Sequence, residues 1–97
     1  MEKVRIQFFG SIRAAAQKPE GWAPLAGNTT VLQLLRELAG VYGEGFRGEL
    51  LAAGGEKLRD DLTVTLNGTI IKHQAAGELL LRPGDTLALF PLFPGGG

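Results

Sequence analysis

The fold turns on the stretch Pro83-Gly84-Asp85-Thr86-Leu87-Ala88-Leu89-Phe90-Pro91-Leu92-Phe93-Pro94-Gly95-Gly96-Gly97. Pro83-Gly84-Asp85 has the composition of a tight turn: Pro presets φ, Gly accepts positive φ, and Asp bonds the nearby backbone. Thr86 to Phe90 then alternates with period two, which predicts a strand with Leu87 and Leu89 inward and Ala88 and Phe90 outward. Pro91 and Pro94 oppose helix and stiffen the exit. Leu92 to Gly97, if extended, would reach about 20 Å. Such a segment can carry a terminal carboxylate clear of a folded body, and its bare glycines can thread a narrow channel in another protein. The reading is therefore a folded domain over 1–91 and an extended tail over 92–97.

Working back toward the start, Leu62-Thr63-Val64-Thr65-Leu66 alternates in the same way. Asn67-Gly68 follows at once and signals a hairpin, because both residues tolerate positive φ. Thr69-Ile70-Ile71-Lys72 is the expected return strand. Thr30-Val31-Leu32-Gln33 reads as a capping box that opens a helix. Val31, Leu34, Leu35, Leu38, Val41 and Tyr42 form its apolar stripe, and Gly43 suits its end. A shorter helix is expected from Phe46 to Ala53, closed by Gly54-Gly55. Gly27-Asn28-Thr29 is a turn.

At the start, Val4-Arg5-Ile6-Gln7-Phe8 predicts a strand that sends Val4, Ile6 and Phe8 to the core. Phe9 falls on the other face with Arg5 and Gln7. A helical turn over Ser11–Gln17, with Ser11 as cap and Pro19 as stop, is expected next. Trp22–Leu25 reads as a weak strand whose Pro24 suits an edge. The order is strand, strand, helix, strand, strand, strand. That is α+β: a mixed sheet of four or five strands with one long helix across it.

Composition narrows the function. A chain of 97 residues makes one domain, with a modest core and little room for a deep cofactor pocket. Ten Lys+Arg balance ten Asp+Glu, which argues against tracking nucleic-acid phosphates. There is no cysteine, hence no disulfide, thiolate nucleophile or thiolate-held metal, which fits a cytoplasmic protein. No run approaches the ~18 apolar residues of a membrane span, and Met1-Glu2-Lys3-Val4 lacks a signal-peptide pattern. The 15 glycines are roughly double the average share of about 7%.

Catalytic constellations are missing. His73 stands alone after a predicted strand, where a surface or hydrogen-bonded structural role outweighs ligation. Ser11 is the only serine, and its flanks do not make a nucleophile elbow. Asp60-Asp61 is read as a polar turn, since adjacent residues entering a strand point to opposite faces. Gly43-Glu44-Gly45 follows a helix and lacks the further glycine of a phosphate loop. What remains is the tail and its apolar neighbours. Phe90, Pro91, Leu92 and Phe93, extended by Phe9, suggest an outward patch for a partner. The plainer alternative is that these groups pack under the proline-rich turn.

The chain resembles the β-grasp fold of ubiquitin-like proteins, and more closely the small subunit of molybdopterin synthase, a sulfur carrier. The resemblance rests on Val4-Arg5-Ile6-Gln7-Phe8-Phe9-Gly10-Ser11-Ile12-Arg13, Val31-Leu32-Gln33-Leu34-Leu35, Val64-Thr65-Leu66-Asn67-Gly68, and Pro83-Gly84-Asp85-Thr86-Leu87-Ala88-Leu89-Phe90-Pro91 before the glycines. These segments follow the family's order over nearly the whole chain. The resemblance implies that a ubiquitin-activating-type enzyme uses MgATP to adenylate the carboxylate of Gly97. A sulfur donor system then leaves a thiocarboxylate there. The tail, with Gly96 as the slender neighbour, would insert into the large synthase subunit and deliver sulfur to a pterin precursor of the molybdenum or tungsten cofactor. Phe90-Pro91 matches the motif that leads into the tail.

Neither nucleic acid, membrane nor a resident cofactor or metal is implied, and the chain would not be an enzyme on its own. One departure stands out: Leu92-Phe93-Pro94-Gly95 replaces the family's second Pro and short apolar–small pair, which lengthens the tail by one residue. The sulfur carrier of thiamin biosynthesis, which also ends in Gly-Gly, and a ubiquitin-like binding module with an inert tail are the alternatives.

Overall fold

In the computed structural model, which describes residues 2–91, β1 (Lys3–Phe8) lies inside a five-stranded sheet of order β2-β1-β5-β3-β4. It pairs antiparallel with β2 (Glu20–Pro24) and parallel with β5 (Thr86–Phe90). β5 also pairs antiparallel with β3 (Thr63–Leu66), which turns back into β4 (Thr69–Ile70). A parallel pair needs a long crossover. Here it contains the principal helix, α2 (Val31–Tyr42). Shorter helices are α1 (Gly10–Ala16), α3 (Glu44–Leu50) and α4 (His73–Ala76). This is the expected α+β, β-grasp architecture.

Alternation does what it predicts. Val4, Ile6, Phe8, Leu87 and Leu89 are buried, and they meet Val31, Leu34, Leu35 and Leu38 of α2 in one core. Phe8 anchors it, edge-to-face with Phe46 of α3 at 5.5 Å between centroids. The capping box forms as read: the Gln33 N–H donates to Thr30 Oγ1 (3.1 Å), and the Thr30 N–H donates to Gln33 Oε1 (2.8 Å). Asn67 and Gly68 take φ of 52° and 88° in the hairpin. Asn67 also clips that hairpin to the next turn, accepting from the Thr86 N–H at 2.9 Å and donating to Asp85 Oδ1 at 3.0 Å. β2 is an edge strand, as Pro24 required.

Several expectations need correction. Ser11 is not a cap. It is the second residue of α1, and its hydroxyl donates to Glu49 Oε1 of α3 at 2.7 Å. α1 starts one step earlier, where the Phe9 carbonyl accepts from the Ile12 and Arg13 amides. Val41 leaves the apolar stripe and is 74% exposed, while Ala39 is buried instead. Val41 sits at the stripe's margin beside Trp22 and Pro24 of the edge strand, where no further strand covers it. α3 ends at Leu50, because Leu51 forms a bridge with Leu58. The return strand stops at Ile70, and Lys72 instead caps the short α4. His73 has the structural role anticipated: its Nε2 lies 2.6 Å from the Leu62 carbonyl, which can only accept, so Nε2 carries the proton.

Candidate functional site

The parallel register of β1 and β5 builds the site. Arg5 faces Thr86 and Phe8 faces Leu89. The Phe9 N–H extends the ladder by one step, donating to the Leu89 carbonyl at 3.2 Å. Phe9 and Phe90 thereby become lateral neighbours on the face away from the helices. Their rings stack, 4.4 Å between centroids and 11° between planes. Offset stacking at this separation is attractive beyond simple burial. Phe9 keeps 36% of its surface exposed, and Phe90 and Pro91 are half-buried. The pair is thus a partly wet aromatic platform at the end of β5. The rings support each other and still face solvent. Phe9, Phe90 and Pro91 are brought together as expected. Leu92, Phe93, Gly96 and Gly97, with the whole tail 92–97, lie outside the described residues.

The rest of the open face is polar at its centre. Arg5 reaches across to Glu20 with Nε at 3.2 Å and Nη2 at 2.6 Å from Oε1. Half-exposed charges of this kind contribute little stability, but they make the middle of the face hydrophilic. Ala88 points outward yet is buried, because Gln7 and Thr65 flank its small side chain in register. At the far edge Trp22 is 55% exposed, with Lys3 Nζ 5.0 Å from its ring centroid. Ile70 is exposed on β4. The sequence reading missed both. Strand parity around Trp22, flanked by small Gly21 and Ala23 on the inward side, was the signal available.

Among the described residues no group of His, Asp or Glu could hold a metal ion. Ser11 and His73 are each committed elsewhere, to Glu49 and to the Leu62 carbonyl, so the two do not pair with each other. A shallow hollow of about 500 Å³, lined in part by Gly48, Arg59 and Asp61, has its cation already spent. The Arg59 guanidinium donates to both Asp61 oxygens and to the Gly48 carbonyl. No helix of the described residues is long and apolar enough to cross a membrane. What the described surface offers at the end of β5 is a stacked, partly exposed aromatic pair beside Pro91.

Comparison with known proteins follows the same line. Residues 6–96 match the ThiS family. SAMP1 from Haloferax volcanii is 26% identical, with 97% of this chain and 99% of that one covered and a TM-score of 0.81. A putative molybdopterin converting factor subunit 1 from Pyrococcus furiosus shares the fold at 23% identity, with 96% and 100% covered and a TM-score of 0.74. A chain of the Amycolatopsis orientalis BexX/CysO complex shares it at 24% identity, with 96% and 99% covered and a TM-score of 0.67. No curated protein matches in sequence.

Proposed function

The chain belongs to the ThiS family, a family of ubiquitin-like sulfur carriers, and we propose that Gly97 carries the sulfur and that a molybdenum- or tungsten-cofactor precursor receives it. A carboxylate is a poor electrophile because its charge is delocalised. A partner adenylating enzyme, using MgATP, joins the Gly97 carboxylate to AMP and releases pyrophosphate. A hydrosulfide equivalent from the donor system then attacks the carbonyl carbon. The C–S bond forms, AMP leaves with the C–O electron pair, and the thio acid loses its proton. In the large synthase subunit the thiocarboxylate sulfur attacks an electrophilic carbon of the pterin precursor, and a carbon–oxygen bond at that carbon breaks with its electron pair leaving on oxygen. Water then cleaves the acyl–sulfur bond, which restores the carboxylate and leaves the sulfur on the precursor. None of these steps needs an acid, base or metal from this chain. Gly96 contributes slenderness at the entrance to each partner's site.

The observation that carries this reading is the Phe9–Phe90 stack with Pro91 beside it, set at the end of the strand that leads to Gly97. Phe9, Phe90, Pro91, Leu92 and Phe93 form the docking patch, first for the adenylating enzyme and then for the large subunit. The Pro83-Gly84-Asp85 turn with Phe90-Pro91 favours the molybdopterin route. The family match favours a second reading, the thiamin-route carrier, which would use the same Gly97 chemistry with a different acceptor. We place the chemistry in the cytoplasm, where a chain without cysteine needs no oxidising environment.

Intact-mass analysis tests the proposal. Incubation with the adenylating enzyme, MgATP and a sulfur donor should exchange one Gly97 oxygen for sulfur. Mixing the product with a molybdopterin synthase large subunit and the pterin precursor, or with a thiazole synthase, assigns the route. An unchanged mass with a competent adenylating enzyme rejects the carrier role of Gly97.

A further inference from the structure

The register that stacks Phe9 on Phe90 also sets Gly10 against Pro91. Gly10 has φ of +56°, and a methyl group added to it would lie 2.7 Å from Pro91 Cγ and 3.2 Å from Pro91 Cδ. Carbon atoms settle at about 3.5–4.0 Å, so relief would take a shift of about 1 Å. A proline ring can repucker at Cγ but cannot swing aside at Cδ, which is bonded to its own backbone nitrogen. The main chain at residue 91 would have to move. On the other side the backbone is pinned. The Phe9 N–H is held by Leu89, the Phe9 carbonyl holds the Ile12 and Arg13 amides, and the Phe9 ring is stacked. The displacement therefore falls on Pro91.

We propose that Gly10 is a positioning residue for loading Gly97: its bare Cα is the seat against which Pro91 rests, and that seat fixes where the chain sets out toward its reactive end. The inference rests on the reading of Gly97 as the loaded group. Gly97 lies six positions beyond Pro91, and its carboxylate must meet MgATP in a partner docked on the adjacent aromatic platform. A displaced root lowers the fraction of encounters in which platform and carboxylate are engaged together.

The test is ATP–pyrophosphate exchange by the cognate adenylating enzyme, with kcat and KM measured for the full chain and its variants. Gly10→Ala is compared with Gly27→Ala, whose φ of +66° brings the same backbone strain but whose added carbon meets nothing within 4 Å. Gly10→Ala should lower kcat/KM by an order of magnitude or more, on the order of the cost of a 1 Å misplacement. Gly27→Ala should stay within about twofold of wild type, as surface changes do.

In a Pro91→Ala background, where the ring is gone, adding Gly10→Ala should cause no further loss. Should Gly10→Ala fail to fold, Pro91→Gly loosens the same seat from the other side and should show the same fall. Equal exchange by Gly10→Ala and Gly27→Ala, or a full additional loss in the double variant, overturns the inference while the carrier reading stands. A wild-type chain that supports no exchange overturns the carrier reading and this inference with it.

Discussion

Truncating the aromatic platform one ring at a time separates its structural work from its docking work. Phe9 retains 36% exposure, so about two-thirds of its surface is out of water. A fully buried Phe→Ala change costs ~3–5 kcal/mol, which scales to ~2–3 kcal/mol here. Part of that belongs to the ring pair itself, since parallel rings 4.4 Å apart contribute ~0.5–1.5 kcal/mol beyond area. Phe9→Ala and Phe90→Ala should therefore not add. The double variant should be less destabilised than the sum by about 1 kcal/mol, read from urea midpoints at constant slope.

Binding is measured on the same proteins by calorimetry with the adenylating enzyme. An anchor at the centre of an interface is worth ~2 kcal/mol or more, so Phe90→Ala should weaken association about 30-fold while the protein stays folded. Additivity within about 0.5 kcal/mol would show that the rings do not support one another. Undiminished affinity in a folded variant would show that the partner docks elsewhere.

Three further outcomes follow from the same picture. Deleting Gly97, or adding one residue after it, should abolish loading in the intact-mass assay while urea and thermal midpoints stay at their wild-type values; loading that survives either change rejects the terminal-carboxylate mechanism. Thr30→Ala removes one arm of the capping box and should cost about 1 kcal/mol; thermal denaturation should register it as a fall of about 4–8 °C. Phe46→Ala empties a fully buried site between Phe8 and Tyr42; a loss of ~3–5 kcal/mol in urea is expected, a large part of the ~5–15 kcal/mol that holds a domain together.

The legible parts of this chain are those whose signal is local. Val4-Arg5-Ile6-Gln7-Phe8 and Thr86–Phe90 announce their inward residues because a strand covered on one side must alternate. Thr30 and Gln33 announce a helix start because both partners of the cap lie within one turn. Ser11 misleads for the converse reason: its residue type suits a cap, but Glu49, thirty-eight positions away, claims its hydroxyl. α4 is too short to show a period, and its first residue, His73, is tied to the Leu62 carbonyl across a hairpin.

The candidate site shows both sides of this. Parity alone puts Phe9 and Phe90 on one face, whereas their stacking needs the β1–β5 register, which joins opposite ends of the chain. The contact of Gly10 with Pro91 is hidden for the same reason. It is visible only as a glycine of no stated purpose until the two strands are paired.

The topology also accounts for which strand leads to Gly97. A carrier must present a reactive end at a fixed offset from its docking patch, so the root of that end has to be the least yielding part of the fold. β5 meets this need. It is flanked by β1 on one side and β3 on the other, with Leu87 and Leu89 fully buried beneath it. Opening its end would break two ladders and uncover the core at once. β2 and the two-residue β4 lie at the sheet edges and are held on one side only, and such edges open at lower free energy. A terminal segment rooted on either would inherit that looseness. On the proposed reading, a root in the interior of the sheet, with an aromatic stack beside it and Gly10 against Pro91, holds firm the start of the segment that leads to Gly97.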